Sequence, residues 1–260
     1  MPDTSAAADQ SLASCLRSVR AVVLDTDGVI IETAGAHAKA WKGAFDACLA
    51  AAGADRTFDQ EDDYRCYVDG RSRQDGAAAF LAACGLSLPL GDPDDGPGTG
   101  TGTVLAVAAR KEQLFNAWLH DHPVPAWPGT VRLLHTLRRA HVPRAAVSAS
   151  RHATDLLTSA GVLDLLLTVV DGNEARRLGL PGKPGPALFL EAARRLGVPE
   201  FDSAVIEDAP AGVEAGRRGG FGLVIGVDRS PDRTGVALLR RSGADLVVTD
   251  PGELLTGEEE

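Results

Sequence analysis

The sequence predicts a doubly wound, Rossmann-like α/β fold on a parallel sheet, with a helical insertion after the first strand. Short apolar runs alternate with longer segments of helical pattern that often end in glycine, which is typical of βαβ units. Several runs are apolar throughout, so we expect strands buried on both faces of the sheet. Residues 36–125 interrupt this alternation with helical patterns and no convincing strand.

The core is predicted from residues 19–35 and 126–255. Predicted strands are 21–24, 144–147, 165–170, 204–206, 223–225 and 246–248, and predicted core helices are 128–141, 151–160, 186–197, 210–219 and 234–242. The insertion 36–125 has helical patterns near 36–52, 74–84 and 104–121, and its segment 91–103 (GDPDDGPGTGTGT) is predicted to be a mobile loop. Residues 1–18 and the final GEEE are predicted to be flexible ends.

Composition indicates a globular protein and argues against a nucleic-acid partner. Of the 260 residues, 44% are hydrophobic and 24% are charged, close to ordinary globular usage. The formal net charge of −10 disfavours a surface for phosphate backbones, which needs Lys and Arg concentrated on one face. A small anionic substrate is still compatible with this charge, because a bound divalent cation reverses the local field.

Four cysteines, Cys15, Cys48, Cys66 and Cys84, lie far apart without a Cys-x-x-Cys pair. This spacing favours reduced structural thiols over a zinc site or a disulfide framework.

The N-terminal segment lacks the basic start and apolar region of a signal peptide, and no run reaches the ~18 apolar residues of a membrane span. We therefore expect a cytoplasmic protein without membrane contact, and a monomer is the expected state.

The first predicted strand ends with two acidic residues, Asp25 and Asp27, in LDTDGV. Gly28 permits a sharp turn directly after them. Ligands of open α/β sheets bind at the carboxyl ends of strands. Carboxylates two residues apart on a strand point the same way, and they repel each other unless a cation or a proton intervenes. Taken alone, this motif could also be an acidic turn that caps a helix.

Polar residues follow three further predicted strands. Ser148 ends AAVS, Lys183 lies in GKPGP, and Glu207 and Asp208 end SAVIED. Parallel strands bring their carboxyl ends to one edge, so these side chains are expected to converge near Asp25. Phosphoryl transfer needs a nucleophile, a cation held by oxygen ligands, and positive groups around the transferring oxygens. Each residue alone could be a turn, loop or capping residue, but the combination indicates this chemistry.

Together these motifs resemble the signature motifs of the haloacid dehalogenase superfamily: DTDGV at 25–29, Ser148, Lys183 and Glu207 with Asp208. The resemblance spans about residues 20–255, and the insertion is similar to that superfamily's small α-helical cap. Further positions resemble its β-phosphoglucomutase-like members. They are Thr33, His37, Trp41, Gly70, Arg71, Arg73, Ala149, Ser150 and Arg151.

The resemblance implies a haloacid dehalogenase core that works through a covalent intermediate. Asp25 would attack phosphorus and form an aspartyl phosphate, while Asp27 would protonate and deprotonate the sugar oxygen. Mg²⁺ would bind the Asp25 carboxylate, the Asp27 main-chain oxygen and the Asp208 carboxylate, with Glu207 adjacent.

On the substrate side, the resemblance implies that Ser148 and Lys183 hold oxygens of the transferring phosphate. Arg73 would grip the other phosphate of a sugar bisphosphate, and His37 would help place Asp27 and close the cap. Thr33, Trp41, Gly70, Arg71, Ala149, Ser150 and Arg151 would complete the substrate site. Taken alone, His37 and Trp41 would more often be packing residues of a helix.

The implied activity is that of a phosphomutase that interconverts β-D-glucose 1-phosphate and glucose 6-phosphate through glucose 1,6-bisphosphate. A Mg²⁺-dependent sugar-phosphate phosphatase is the alternative, in which water takes the phosphoryl group. Asp69, Gly76 and His152 differ from the residues expected from the resemblance. A non-catalytic binding protein is disfavoured, because the nucleophile and the acid–base residue are both present. A dinucleotide site is also disfavoured, because no Gly-x-Gly-x-x-Gly follows the first strand.

Overall fold

The computed structural model describes residues 11–92, 94–98, 100–230 and 232–256. The strands found there are β1 (Ser11–Leu12), β2 (Ala21–Asp25), β3 (Arg144–Val147), β4 (Thr168–Val170), β5 (Ser203–Glu207), β6 (Leu223–Val227), β7 (Leu246–Val248) and β8 (Leu255–Thr256). Strands β2 to β7 form one parallel sheet in the order β4-β3-β2-β5-β6-β7, whereas β1 pairs with β8 in an antiparallel ladder.

Helices surround this sheet and form the insertion. The α-helices of the described residues are α1 (Ser14–Arg17), α2 (Ala34–Ala51), α3 (Arg73–Ala83), α4 (Val104–Asp121), α5 (Pro128–Arg139), α6 (Ala153–Ser159), α7 (Gly172–Leu178), α8 (Ala187–Leu196), α9 (Pro210–Arg218) and α10 (Val236–Ser242). A π-helical turn lies at Tyr64–Val68, and 3-10 turns lie at Leu163–Leu165, Glu200–Asp202 and Pro251–Leu254. Within the described residues, none of the helices has the length and apolar character that crossing a bilayer requires.

The central strands are buried on both faces, as their continuous apolar runs predict. Along β2, Val22 and Leu24 join one apolar cluster, and Val23 joins a second cluster on the opposite face. Burying one such side chain fully contributes roughly 2 kcal/mol. The register pairs Asp25 with Val147, and Leu24 with Ile206. The carboxyl ends of β2, β3 and β5 therefore meet at one edge, and the predicted doubly wound α/β core is confirmed.

Two core elements differ from their prediction. The apolar run 165–170 forms a strand only from Thr168, because Leu163–Leu165 makes a 3-10 turn that buries Leu165. Helix α7 was not predicted, because none of its residues is buried and it has no apolar periodicity. It begins after Asp171, whose carboxylate accepts hydrogen bonds from the backbone N–H groups of Asn173 and Glu174.

The predicted flexible N-terminus, residues 1–18, needs correction. Residues 11–17 form β1 and α1, and Leu12 and Leu16 are buried in the same cluster as Leu24. β1 pairs with β8, a segment that is distant in the sequence, so a local pattern gave no signal. Residues 1–10 and the predicted flexible end 257–260 lie outside the described residues.

The insertion consists of helices α2, α3 and α4 and the π-helical turn, with no strand among its described residues. Its own apolar cluster includes Phe45, Phe58, Phe80 and Val107, which are all fully buried. Helix α2 begins at Ala34 rather than at residue 36. The described part of segment 91–103 contains neither helix nor strand, and its mobility stays a prediction.

The two connections between insertion and core run side by side. The backbone N–H of Glu32 donates to the carbonyl of Pro125 (3.1 Å), and that of Trp127 donates to Ile30 (2.9 Å). The insertion also touches the core through Gly70, which has a φ of +70°. A Cβ at this position would lie 2.8 Å from the Cβ of Ala209 in the core. The insertion, which we call the cap, therefore covers the edge where the central strands end.

Candidate active site

Asp25 lies at the carboxyl end of β2, where the chain turns sharply. Thr26 fixes the turn, because its hydroxyl donates a hydrogen bond to the carbonyl of Val147 (3.0 Å). Gly28 has a φ of +87°, and a Cβ there would lie 1.8 Å from Oδ2 of Asp208. Glycine at this position therefore satisfies the backbone conformation and leaves room for the Asp208 carboxylate.

Lys183 joins two buried carboxylates below the cavity. Its ammonium group donates to Oδ1 of Asp25 and to Oε1 of Glu207, the latter at 2.6 Å. The other oxygen of Glu207 accepts from the backbone N–H of Ala209 (2.7 Å). Burial alone would lower the pKa of Lys183, but the charges of Asp25 and Glu207 raise it above its usual value. Lys183 is therefore a permanent cation beside the candidate nucleophile.

Three carboxylates at this edge could hold a divalent cation. Asp25, Glu207 and Asp208 can each place one oxygen within 4.8 Å of the other two. Burial raises the pKa of Asp208 well above its usual value, and the negative charges of Asp69, Glu207 and Asp25 raise it further. Lys183 offsets one of the three charges, which leaves an excess that a divalent cation would neutralise. Carboxylate oxygens are the ligands that Mg²⁺ prefers, so the residues present fit this ion.

Asp27 is held by three side chains. The hydroxyl of Thr33 donates to its Oδ1 (2.6 Å), the hydroxyl of Ser148 donates to its Oδ2 (2.7 Å), and His37 Nε2 lies 3.3 Å from Oδ1. Burial alone would raise the pKa of Asp27, but the hydrogen bonds from His37, Thr33 and Ser148 hold it below its usual value. Asp27 is therefore an oriented carboxylate in this structure.

The cap extends this arrangement through His37 and Lys111. Lys111 Nζ lies 2.8 Å from His37 Nδ1, and the His37 ring stacks on Phe115 with 4.0 Å between centroids. Burial lowers the pKa of Lys111 to about 8. A protonated lysine can only donate, so Nδ1 must accept, and the remaining imidazole proton lies on Nε2, facing Asp27. Two cap helices thus fix the tautomer of the residue that contacts Asp27.

A cavity of about 390 Å³ lies between cap and core. Of the predicted site residues, those on its wall are Asp25, Asp27, His37, Trp41, Gly70, Arg71, Arg73, Ala149, Ser150, Arg151, Lys183 and Asp208. Thr33, Ser148 and Glu207 are fully buried and do not line it. They act behind the wall, where Thr33 and Ser148 orient Asp27 and Glu207 binds Lys183.

A second group of charges lines the cavity on the cap side and on the adjoining core. Arg73 NH1 forms an ion pair with Glu112 Oε2 (2.8 Å), and Glu112 Oε1 contacts His152 Nε2 (2.8 Å). Arg151 and Arg176 also line the cavity. Burial lowers the pKa of Arg151, and the neighbouring charges of Arg73 and Arg176 lower it further. We call Arg73, Arg151 and Arg176 the arginine wall.

Three residues that line the cavity, Glu112, Arg176 and Tyr64, are not among the predicted site residues. Arg176 lies on α7, the helix that was not predicted. Glu112 follows Lys111 on a helix, where a charged residue usually faces solvent, so no pattern distinguishes it.

Two of the unexpected cap residues have different surroundings. Asp69 lines the cavity, and its pKa is raised to about 7 by burial and by the nearby charge of Glu207. Gly76 is buried inside the cap, where a Cβ would lie 2.7 Å from Cγ1 of Val68. The lack of a side chain at Gly76 therefore serves the packing of α3 against the π-helical turn.

Comparisons with known proteins agree with this geometry. Residues 19–220 match the family model of the haloacid dehalogenase-like hydrolases. The chain belongs to this family. It is 42% identical over 243 residues to the β-phosphoglucomutase of Mycobacterium bovis, which covers 91% of the chain and 92% of that protein. The predicted haloacid dehalogenase superfamily and its β-phosphoglucomutase-like branch are thus confirmed.

Two further proteins extend the comparison. The crystal structure of β-phosphoglucomutase from Clostridium difficile superposes with a TM-score of 0.70 at 22% identity, over 91% of the chain and 93% of that protein, and it supports the fold. The trehalose-phosphate phosphatase of Mycobacterium leprae is 35% identical over 127 residues, which span 48% of the chain and 28% of that protein. The chain is thus similar to a mutase over most of its length and to part of a phosphatase over about half of it.

Proposed function

We propose that the protein is a β-phosphoglucomutase, which interconverts β-D-glucose 1-phosphate and glucose 6-phosphate through an aspartyl phosphate and glucose 1,6-bisphosphate. The observation that carries this proposal is Asp27, a carboxylate beside the nucleophile that core and cap residues orient together. A group that must move protons to and from a sugar needs such fixed geometry. The 42% identity to the Mycobacterium bovis β-phosphoglucomutase supports it.

In the proposed reaction, a carboxylate oxygen of Asp25 attacks phosphorus as the bond from phosphorus to the leaving oxygen breaks. Lys183 contacts Asp25 directly, so its positive charge lies where negative charge is redistributed. Mg²⁺ would be held by Asp25, Asp208 and the main-chain oxygen of Asp27, and it would offset negative charge on the transferring phosphate. Ser148 binds Asp27 in the structure, and we propose that it also reaches a phosphate oxygen when substrate is present.

Asp27 would act first as a base toward an attacking sugar hydroxyl. Its low pKa gives the carboxylate form, and the proton of the hydroxyl would pass to it as the oxygen attacks the phosphoenzyme. In the reverse direction, the protonated form would return this proton to the leaving oxygen. His37 and Lys111 belong to the cap, so the contacts that favour either form depend on how the cap sits on the core.

The remaining cavity residues would bind the sugar and its second phosphate. Arg73 and Arg151 offer guanidinium groups that suit phosphate oxygens. Trp41 offers an apolar surface, and Asp69 and Arg71 offer polar groups for hydroxyls. A closed cap would also exclude water, which favours transfer to a sugar over hydrolysis.

A sugar-phosphate phosphatase is the second candidate, because the Mycobacterium leprae phosphatase matches about half of the chain. The same aspartyl phosphate would form, and water would then take the phosphoryl group. The experiment supplies β-glucose 1-phosphate, Mg²⁺ and a trace of glucose 1,6-bisphosphate, and measures glucose 6-phosphate and free phosphate in parallel. Faster formation of glucose 6-phosphate is expected. If free phosphate forms faster, the mutase proposal is wrong and the phosphatase takes its place.

A further inference from the structure

Glu112 bridges the cap and the core with its two carboxylate oxygens. Oε2 accepts from NH1 of Arg73 (2.8 Å), at the start of cap helix α3. Oε1 accepts from Nε2 of His152 (2.8 Å), which directly precedes core helix α6. Glu112 itself lies on cap helix α4. One side chain thus ties two cap helices to the core.

The surroundings of Glu112 favour its charged form. Burial would raise the pKa of Glu112, but the hydrogen bond from His152 and the charges of Arg73 and Lys111 lower it to about 2. The carboxylate can therefore only accept hydrogen bonds. Its side chain is 22% exposed and lines the cavity, so a ligand in the cavity can reach it.

The arginine wall is otherwise uncompensated. Within the described residues, neither the Arg151 nor the Arg176 side chain has an ion-pair partner or a hydrogen-bond acceptor. Arg151, Arg73 and Arg176 are close enough for their charges to repel. Glu112 is therefore the carboxylate that pairs with the wall. Its partner is Arg73, the arginine that would bind the second phosphate in the proposed function.

We propose that Glu112 is a specificity-determining residue that holds the place of a substrate's second phosphate and limits how tightly that phosphate binds. This inference rests on the proposed function in one respect, since it takes a doubly phosphorylated sugar as the ligand. A dianion approaching Arg73 must displace Glu112 or share the guanidinium with it against repulsion. Displacement also disrupts the cap–core contact through His152.

A limit on the affinity for the second phosphate suits a mutase. A bisphosphate intermediate has to exchange its two phosphates between the nucleophile and the arginine wall. Three unopposed arginines would hold one phosphate too tightly for this exchange, because binding the intermediate more strongly raises the barrier to the next step. A competing carboxylate within the cavity lowers the affinity without removing the arginines.

The experiment replaces Glu112 by glutamine, which keeps the shape but has no charge. Its single amide oxygen can accept a hydrogen bond from Arg73 or from His152, but not from both in the way that the two carboxylate oxygens do. Both proteins carry Asp25→Asn, so that no turnover occurs and binding can be measured whether or not the mutase activity is found. Calorimetry in Mg²⁺ gives the Kd of glucose 1,6-bisphosphate and of glucose 6-phosphate. Glu112→Gln is expected to raise the ratio of the monophosphate Kd to the bisphosphate Kd by about tenfold.

Two controls test the origin of the effect. Glu214, which pairs with Arg218 on core helix α9, lies outside the cavity, so Glu214→Gln removes the same charge and should leave the ratio unchanged. Adding Arg73→Gln should shrink the effect of Glu112→Gln, because the two residues act on each other. Glu112→Ala must move the ratio in the same direction, which provides a second variant if glutamine impairs folding.

Two outcomes for Glu112→Gln would overturn the inference. An unchanged ratio would mean that Glu112 does not compete with the second phosphate, and a lower ratio would mean that Glu112 orients Arg73 for this phosphate. The mutase proposal fails separately, if unmodified protein makes no glucose 6-phosphate from β-glucose 1-phosphate. The two failures are therefore distinguishable.

Discussion

The arginine wall and the opposite, core side of the site handle charge in opposite ways. We call the core side the floor, and it consists of residues at the cavity surface and directly beneath it: Asp25, Asp27, Ser148, Lys183, Glu207 and Asp208. On the floor, the side chains of Lys183 and Glu207 are completely buried and each charged group has fixed partners. On the wall, Arg73 and Glu112 are 24% and 22% exposed, and their ion pair joins residues that a ligand can reach. The floor is built mostly on strand ends of the core, whereas the wall takes Arg73 from cap helix α3, Arg151 from a core loop and Arg176 from core helix α7. Fixed charges suit the reacting phosphate, and exchangeable charges suit a group that must enter and leave.

This difference determines which substitutions are informative. Removing Lys183 would leave two buried carboxylates without their counter-charge, which typically destabilises a protein by about 3–5 kcal/mol. Floor residues should therefore be replaced by isosteres, so that a loss of rate is not a loss of folding. On the wall, the Arg73–Glu112 pair is partly exposed, so removing one partner should cost less stability than removing Lys183.

The largest effect is expected on the floor, for Asp25→Asn. An amide is a poor nucleophile, and the variant also loses a charged oxygen for the metal. Turnover of β-glucose 1-phosphate should fall by at least ~10⁴-fold. The measurement is glucose 6-phosphate formation, with circular dichroism as the control for folding. Activity close to that of the unmodified protein would rule out a covalent aspartyl phosphate.

The next effect is expected for Asp27→Asn, which keeps the nucleophile. We expect isomerisation to fall by ~10² or more, the usual scale of general acid–base catalysis. Acetyl phosphate has a good leaving group and needs less acid assistance, so it should still phosphorylate Asp25 slowly in this variant. Mass spectrometry of the acid-quenched protein detects the added phosphoryl group. If isomerisation persists at the normal rate, Asp27 is not the acid–base residue.

The floor was predictable from the sequence, because its residues follow apolar runs that mark strands. Once those runs form a parallel sheet, Asp25, Ser148 and Glu207 must lie at one edge. The precise partners were not predictable. Ser148 was expected on a phosphate, yet its hydroxyl donates to Asp27 in the structure. Which acceptor a buried hydroxyl finds depends on packing between distant segments.

The wall was only partly predictable. Arg73 and Arg151 were identified through a resemblance of short motifs. Arg176 was missed, because its helix buries no residue and shows no apolar periodicity. Glu112 was missed, because its role exists only when a cap helix faces the loop at His152. A contact between two domains leaves no periodic pattern in either segment.

On the wall, Arg73→Ala tests whether the affinity for a bisphosphate can change while the rate of phosphoryl transfer does not. The apparent KM for glucose 1,6-bisphosphate should rise by about tenfold or more, because a charge-assisted contact to phosphate is lost. Hydrolysis of a small phosphate ester that does not reach Arg73 serves as the matched assay, and it should change little. A fall in both activities by the same factor would place Arg73 in the chemistry of the floor and break the distinction between the two regions.

The smallest effect is expected where wall and floor are joined, at Lys111. Its pKa of about 8 means that it is protonated below that pH and loses its proton as the pH rises through it. The neutral amine no longer forces His37 Nδ1 to accept, so the imidazole proton is no longer held on the Asp27 side. The isomerisation rate should therefore fall on the alkaline side with an apparent pKa near this value. Lys111→Arg keeps its charge and should move this alkaline limb upward.

The measurement is the ratio of rates at about pH 9.5 and about pH 7, since a ratio removes any loss that the larger guanidinium causes at both values. Lys42→Arg is the matched control, because Lys42 pairs with Asp46 on cap helix α2 away from His37. It should leave the limb in place. A flat profile in the unmodified protein, or the same limb in Lys111→Arg, would show that Lys111 does not transmit its charge to Asp27. The cap would then influence the floor only by excluding water.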